Sequence, residues 1–234
     1  TRGGKRMRLV DSVAEEALTA EEGSSGRPKL RGQSHVLGFF VSLMSGPMLV
    51  ALATDDAART YSAVYALALT FLLGTSALYH VRHWSYGPRT WMRRLDHGGI
   101  FVLIGGTSTP FALALPEDKR GLYLGMVWLA SAAGMVRAIV WPYAPKWVTS
   151  GTGLVGGWGS ASFVPQMLNS CGGGILDWVL VGGAIYTAGS ICYALKRPNF
   201  WPQTFGYHEV FHALTLIGAA MHYVAISRIV SAVH

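Results

Sequence analysis

Charged residues make up only 13% of this 234-residue chain, about half of the roughly 25% that is usual in a soluble domain. Hydrophobic residues make up 51% of it and the mean hydropathy is positive, so the composition excludes an ordinary soluble domain and indicates an integral membrane protein. The formal net charge of +7 would also suit a nucleic-acid-binding protein, but the placement of the basic residues favours a membrane topology.

Seven apolar runs follow a polar N-terminal arm of residues 1–33. Each run approaches or reaches the roughly 20 residues that a helix needs to cross the hydrocarbon core of a bilayer. Because the links between the runs are short, we predict a single all-α transmembrane domain of seven helices over residues 34–234. In chain order the runs are Val36–Ala53, Tyr61–Tyr79, Leu95–Leu115, Leu122–Val140, Gly151–Leu168, Ile175–Leu195 and Phe205–Val230.

The basic residues predict how this domain is oriented. With the N-terminus in the cytoplasm, 15 of the 19 Lys and Arg residues fall on the cytoplasmic side and 4 on the other. That asymmetry predicts a cytoplasmic N-terminus and an outer C-terminus. The basic excess then faces anionic lipid head groups, so we expect membrane lipids as partners and no nucleic acid.

Three of the predicted helices bring polar residues to one depth in the membrane. The second run ends in GTSALYH, with Ser76 and His80, and the third opens with LDHGGI, which contains Asp96. The last run opens with FGYHEVFH, where the four-residue spacing of His208 and His212 puts both imidazoles on one helix face, about 6 Å apart. The predicted topology places all of these helix ends at the cytoplasmic side.

Three imidazoles and an acid at one depth predict a metal site. Three protein ligands with an open fourth position are typical of catalytic zinc, whereas structural zinc has four protein ligands. In such a site Asp96 would take a proton from the reacting water, and Ser76 would orient that carboxylate or a substrate carbonyl. The alternatives are histidines held by hydrogen bonds between helices, an ion pair of Asp96 with Arg93 or Arg94, and a packing role for Ser76.

We expect the other ionisable residues in and beside the apolar runs to have structural or supporting roles. Glu209 lies on a different helix face from the two histidines beside it and is expected to meet Arg137, Arg94 or a loop. His97 points about 100° away from Asp96, so we expect it to support or pack against the site. His35 is near the same depth and is a possible supporting partner. Structural or solvated roles are expected for His83, His222 and His234.

At these residues the chain resembles the hemolysin III family, which is part of the progestin and adipoQ receptor (PAQR) group and of a wider superfamily of membrane hydrolases. The shared order is Ser-x3-His, then Asp, then His-x3-His within seven helices. The resemblance covers nearly all of the chain from residue 31 onward. The segments that carry it are SALYH (Ser76–His80), LDHGGIFVLIGGTSTPF (Leu95–Phe111), GYHEVFH (Gly206–His212) and, as a weaker match, RGQSH (Arg31–His35).

The resemblance implies a seven-helix bundle in which His80, His208 and His212 hold Zn²⁺. It assigns Asp96 and Ser76 to the reacting water and its support. In the eukaryotic relatives it implies hydrolysis of lipid amides, notably ceramide-like ones, while bacterial members take their name from haemolytic activity. It also implies a multi-pass protein of the bacterial plasma membrane.

Three kinds of function fit these observations. The first is a zinc-dependent hydrolase whose water attacks a lipid amide or ester at the cytoplasmic leaflet, the substrate entering from the bilayer. The second is a non-enzymatic membrane protein with a structural zinc, which forms pores, causes cytolysis or regulates membrane properties. The third is an electron-transfer protein with a bis-histidine haem. A retinal protein is disfavoured because the last run contains no lysine for a Schiff base, and the sequence identifies no protein partner.

Overall fold

A computed structural model describes residues 27–171 and 173–232, and within these ranges the chain is helical and has no β-strand. Most of the predicted N-terminal arm lies outside the described residues. Two short 3-10 helices, Ala112–Ala114 and Ala161–Phe163, connect longer elements. The α-helices are α1 (Gln33–Leu52), α2 (Asp56–Val81), α3 (Tyr86–Phe111), α4 (Glu117–Val140), α5 (Lys146–Trp158), α6 (Val164–Cys171), α7 (Gly173–Leu195) and α8 (Tyr207–Ala232).

Short connections make successive helices antiparallel neighbours. Helix α2 packs between α1 and α3, α3 packs on α4, and α7 pairs with α8, which returns to contact α1. One end of the bundle, which we call the histidine end, therefore holds the beginnings of α1, α3, α5 and α8 and the ends of α2, α4 and α7. The core between the helices includes Tyr65, Leu72, Leu103, Phe111 and Ile226, all buried.

The outer surface of the bundle is apolar. Met44, Leu129 and Val155 are each 74% exposed, and many other large apolar side chains also point away from the core. Such a surface is unfavourable in water and suits lipid. In the part of the chain that the structure describes, five helices are long and apolar enough to cross a membrane: α1, α2, α4, α7 and α8. The structure thus supports an all-helical membrane protein and confirms the helical class that the sequence predicted.

Two elements differ from the predicted runs. Helix α3 begins at Tyr86, nine residues before the apolar run, because the preceding basic stretch is helical and not a loop. The predicted fifth helix, Gly151–Leu168, is divided: α5 begins earlier and ends at Trp158, and α6 starts only at Val164. Glycine and serine residues follow Trp158, and Pro165 stands in the first turn of α6, where proline is tolerated but cannot continue a preceding helix.

The contact between α3 and α4 depends on a glycine. A Cβ at Gly134 would lie 2.0 Å from Cδ1 of Phe101, a ring that is 1% exposed and cannot easily move. We expect Gly134→Ala to cost about 1–3 kcal/mol, as overpacking does, and to lower the thermal midpoint of the purified protein in detergent. Gly125→Ala on the same helix is the control, since a Cβ there meets nothing within 4 Å. Equal midpoints for the two variants would contradict this account of the α3–α4 contact.

Candidate metal centre

Three histidines meet at the histidine end of the bundle. His80 lies in the last turn of α2, and His208 and His212 lie in the first two turns of α8. One ring nitrogen from each can be chosen so that all three lie within 4.8 Å of one another, and all three residues are buried. The ring centroids are 4.6–4.9 Å apart. The structure therefore brings together the three residues that the sequence proposed as metal ligands.

The donor set and its spacing fit zinc. In a tetrahedral site with Zn–N bonds of about 2.0–2.1 Å, neighbouring nitrogens lie about 3.3 Å apart, and the Nε2 atoms of His80 and His208 are 3.3 Å apart. Hydrogen bonds do not satisfy the whole cluster, because the buried Nδ1 of His212 has no partner among the described residues. A buried nitrogen in that state is unusual in proteins. Of the described residues, only these three histidines belong to the cluster.

The cluster does not suit the haem alternative. A bis-histidine haem needs its porphyrin to lie between two axial imidazoles. The three ring centroids here are less than 5 Å from one another, and no such space is left between them.

Helix α8 is fixed at its beginning by Glu209. The Glu209 carboxylate accepts a hydrogen bond of 2.8 Å from the backbone N–H of Gly206 and pairs with the guanidinium of Arg31. The contact with Gly206, in the loop before α8, agrees with what we expected for Glu209. Its arginine partner is Arg31, however, whereas the sequence suggested Arg94 or Arg137. Arg137 instead approaches the hydroxyls of two threonines on α5. Because breaking a buried ion pair is costly, the Arg31–Glu209 pair holds the segment before α1 against the histidine-bearing helix.

The RGQSH segment contributes more to the site than its weak motif suggested. Gly32 has a φ of +81° and lies so close to α2 that a Cβ would be 2.7 Å from the Cβ of His80, so only glycine fits there. Three residues later, His35 stacks on His212 with the ring centroids 3.8 Å apart and the planes 7° from parallel. Arg31 and His35 thus contact Glu209 and His212 directly. Gly32 lets the chain pass close to His80.

Asp96 and Ser76 lie beside the histidines. The Oδ2 atom of Asp96 is 3.7 Å from Nε2 of His80, and the Ser76 side chain lies against the Asp96 carboxyl. Arg93, which the sequence offered as an ion-pair partner, donates from Nε to the Pro142 carbonyl at 2.7 Å, although its charge still acts on Asp96. Asp96 is close enough to hold a water beside the cluster, and it is not a member of the cluster itself.

A cavity of about 200 Å³, which we call the apolar chamber, extends from the cluster into the bundle. Its walls come mainly from α3, α5, α6, α7 and α8, with a few residues from α1, α2 and α4, and are mostly apolar. It runs from His212 to His222, ten residues along α8 and thus about 15 Å. Its inner end, which is the end at the histidine cluster, is lined by Ser76, Asp96 and His208. His97 also lines the chamber, so it borders the site and does not simply pack behind it. Apolar side chains along its length include Leu72, Ile100, Leu103, Ile104, Leu154 and Met167.

The fold and the site together define a helical membrane protein in which a buried cluster of three histidines, able to hold a metal ion, opens onto an apolar chamber. The family model described as "Haemolysin-III related" matches residues 24–223. The chain therefore belongs to the haemolysin-III related family.

Individual relatives agree with this assignment. The chain is 26% identical over 192 residues to "Hemolysin-3 homolog" of Bacillus subtilis (strain 168), which covers 80% of this chain and 86% of that protein. It is 26% identical over 161 residues to "Hemolysin-3" of Bacillus cereus, covering 68% of this chain and 69% of that one. "Adiponectin receptor protein" of Drosophila melanogaster is 26% identical over 152 residues, which is 58% of this chain and 34% of the receptor. The last match links the family to the PAQR group.

Proposed function

We propose that this protein is a zinc-dependent membrane hydrolase that cleaves the amide or ester bond of a lipid. The observation that carries the proposal is the buried cluster of His80, His208 and His212 next to Asp96 at the inner end of the apolar chamber. A nitrogen donor set of three matches catalytic zinc sites, which keep one position for water or substrate. The apolar chamber supplies a place for an acyl chain, as ligand pockets for apolar groups do.

In this proposal each part of the site has a separate role in hydrolysis. Zinc, when bound, would supply Lewis acidity and make water a nucleophile near neutral pH. Asp96 accepts the proton of the attacking water and passes it to the leaving group, as a general base and then acid. Ser76 orients the Asp96 carboxylate. The walls of the chamber hold the acyl chain so that the scissile carbonyl lies at the cluster, and they exclude bulk water from it.

We also propose how the protein sits in its membrane. Helix α3 and the divided α5–α6 segment are the two crossings that complete a set of seven, and polar residues of both, including Asp96, Thr107 and Thr149, are buried in the bundle. The bias of Lys and Arg residues puts the histidine end in the cytoplasm. In a bacterial plasma membrane this places the chemistry at the cytoplasmic leaflet, and the substrate, such as a ceramide-like amide, enters from the bilayer.

A screen of lipid amides and esters on purified protein in nanodiscs tests the proposed function. We expect one zinc per chain by metal analysis and release of a fatty acid, detected by mass spectrometry, from at least one lipid class. A chelator should stop the release, and added zinc should restore it. Bound zinc without release from any amide or ester would contradict hydrolysis and favour a structural role for the metal.

A second candidate function comes from the relatives named "Hemolysin-3". A cytolytic or pore-forming role would need no catalysis by the cluster. The apolar walls of the chamber are unsuited to an ion path, because pores are lined by polar groups. Dye release from liposomes at protein concentrations that give no lipid hydrolysis would support this second function.

A further inference from the structure

The end of the apolar chamber that is away from the histidine cluster is polar. We call it the far end, and it is lined by Ser108 on α3, Tyr123 on α4, Ser160 after α5 and His222 on α8. His222 is ten residues along α8 from His212, and thus about 15 Å away. The hydroxyl of Tyr123 lies close to those of Ser108 and Ser160. The far end therefore gathers hydrogen-bonding groups from four separate segments of the chain.

Helix α3 connects His222 with these hydroxyls. Phe111, in the last turn of α3, packs edge-on against His222 with the ring centroids 5.5 Å apart. Ser108 precedes Phe111 by three residues, so the two lie on one face of the helix. Ser108 is also twelve residues beyond Asp96, which is about 18 Å from the inner end of the chamber. The imidazole and the hydroxyls of the far end thus lie at a similar depth.

One nitrogen of His222 has no partner. Its Nε2 donates to the Val179 carbonyl at 3.0 Å, so Nε2 carries the ring proton and Nδ1 is an acceptor. Nδ1 is buried and has no hydrogen-bond partner among the described residues. The ring packs on α7 through Cδ2 and Nε2, since a Cβ at Gly182 would be 2.4 Å from Cδ2. Because Nδ1 lies across the ring from Cδ2, it faces away from α7 and can accept a hydrogen bond from a ligand in the chamber.

The contact between α7 and α8 does not by itself explain this arrangement. The bond to the Val179 carbonyl uses only one nitrogen of His222. Polar groups within the hydrocarbon region of a membrane are destabilising unless they are hydrogen-bonded, and those that occur there usually have a function. A buried acceptor without a donor is likewise destabilising. The far end is therefore suited to a ligand that supplies a hydrogen-bond donor.

The length of the chamber determines where such a ligand carries its polar group. With the scissile carbonyl at the cluster, the acyl chain runs about 15 Å to His222. Carbon–carbon bonds of about 1.5 Å advance a staggered chain by about 1.3 Å each. The far end is thus reached about 12 carbons from the carbonyl.

We infer that the far end binds a hydroxyl group that the acyl chain carries about 12 carbons from its carbonyl, so that the substrate is a hydroxyacyl lipid. The ligand hydroxyl donates to Nδ1 of His222, and its oxygen accepts from Ser108 or Tyr123. This inference rests on the proposed function and narrows it to hydroxylated chains. For an amide, water adds OH to the acyl carbon as the C–N bond breaks, and the nitrogen takes the proton. The products are a hydroxy fatty acid and an amine.

A matched set of lipids tests the inference. N-(12-hydroxydodecanoyl)ethanolamine and N-tridecanoylethanolamine have chains of equal length that end in a hydroxyl and a methyl group, respectively. Binding to zinc-loaded protein in phosphatidylcholine nanodiscs is measured by competition with a fluorescent fatty-acyl probe, relative to the concentration of each lipid in the bilayer. Hydrolysis is measured by release of the fatty acid. We expect the hydroxyl lipid to bind about threefold to tenfold more tightly, the effect of one buried hydrogen bond. N-(6-hydroxydodecanoyl)ethanolamine, whose hydroxyl stops short of the far end, should gain no such advantage.

Variants locate the effect at the far end. His222→Phe keeps a ring and removes its nitrogens, so it should abolish the preference for the hydroxyl lipid and leave binding of the tridecanoyl lipid unchanged. Tyr123→Phe removes a single hydroxyl and should reduce the same preference. It is the second test if His222→Phe lowers the thermal midpoint. Tyr65→Phe is the matched control, because both tyrosines are 1% exposed and Tyr65 does not line the chamber.

The outcomes separate this inference from the proposed function. Equal binding of the 12-hydroxy and tridecanoyl lipids would overturn the inference and leave water as the only partner of His222, even if both lipids are hydrolysed. A preference that is as strong for the 6-hydroxy lipid, or that survives in both His222→Phe and Tyr123→Phe, would also overturn it. A preference for the 12-hydroxy lipid that is lost in these variants, without any hydrolysis, would support the far end as a hydroxyl site and contradict the proposed hydrolase.

Discussion

Replacing His212 with alanine is expected to abolish zinc binding and, with it, lipid hydrolysis. His212 is 2% exposed and supplies one of the three nitrogens that the described residues contribute to the cluster. Loss of a residue that merely supports a ligand weakens metal binding 10–100-fold, so loss of a ligand should weaken it by more than about 100-fold. Metal analysis after dialysis against a weak chelator measures the effect as zinc per chain.

His222→Ala is the matched control for this experiment. His222 lies on the same helix and lines the same chamber, but it is about 15 Å from His212 along α8. Its Nε2 hydrogen-bonds the Val179 carbonyl at 3.0 Å, so the control variant should lose stability and keep its zinc. Full zinc content in His212→Ala, or equal loss from both variants, would refute the assignment of the ligands.

Replacing Asp96 with alanine should have the opposite pattern: zinc is retained and turnover is lost. Asp96 lies outside the group of three ligands but is next to His80 and Ser76. Removing a general base or acid typically slows a reaction by about 10²–10⁴-fold. The measurement is fatty-acid release from the best substrate of the lipid screen, together with zinc per chain.

Asp96→Asn refines the result, since it keeps the size of the side chain and removes its basicity. It should be as inactive as Asp96→Ala. Asp177→Asn serves as the control, because Asp177 is exposed near the beginning of α7, at the other end of the bundle. Turnover within a few-fold of the unmodified protein in Asp96→Ala would mean that another group handles the proton.

The histidine cluster could be predicted from sequence because its geometry follows from helix ends. His-x3-His fixes two imidazoles on one helix face, and alternating spans with short links bring the end of α2 to the beginning of α8. The end of the bundle at which each of these residues lies can therefore be predicted from the sequence. The four-residue spacing of His208 and His212 predicted their shared face of α8, whereas the rotation of α2 that turns His80 toward them came only from the structure.

The contacts around the cluster could not be predicted in the same way. The pairing of Arg31 with Glu209 and the stacking of His35 on His212 depend on how α1 is rotated against α8, which the run of apolar residues does not specify. The α1 pattern is apolar on all sides, so it favours no rotation. The RGQSH segment was the one sequence feature that pointed to these contacts. Its Gly32 has a positive φ and lies against His80, which explains why a glycine is needed there.

A small cavity at the histidine end, lined in part by Arg89, Arg93 and Lys146, was missed because the sequence placed the start of α3 too late. An apolar run predicts the part of a helix that crosses the lipid. It does not predict polar turns of the same helix that lie outside the run. Arg89 and Arg93 precede the predicted run Leu95–Leu115, so the sequence placed them outside the helix. On a helix beginning at Tyr86, they are held in fixed directions, and together with Lys146 they line one small space.

The central claim is that the histidine cluster holds one zinc ion with three protein ligands and one open position. X-ray absorption at the zinc edge, on purified protein loaded with one zinc per chain in nanodiscs, tests it most directly. The account predicts three imidazole nitrogens and one oxygen that does not belong to an imidazole, all at about 2.0–2.1 Å, and loss of this signal in His212→Ala. A spectrum with four protein ligands, or with sulfur in the first coordination shell, would contradict it.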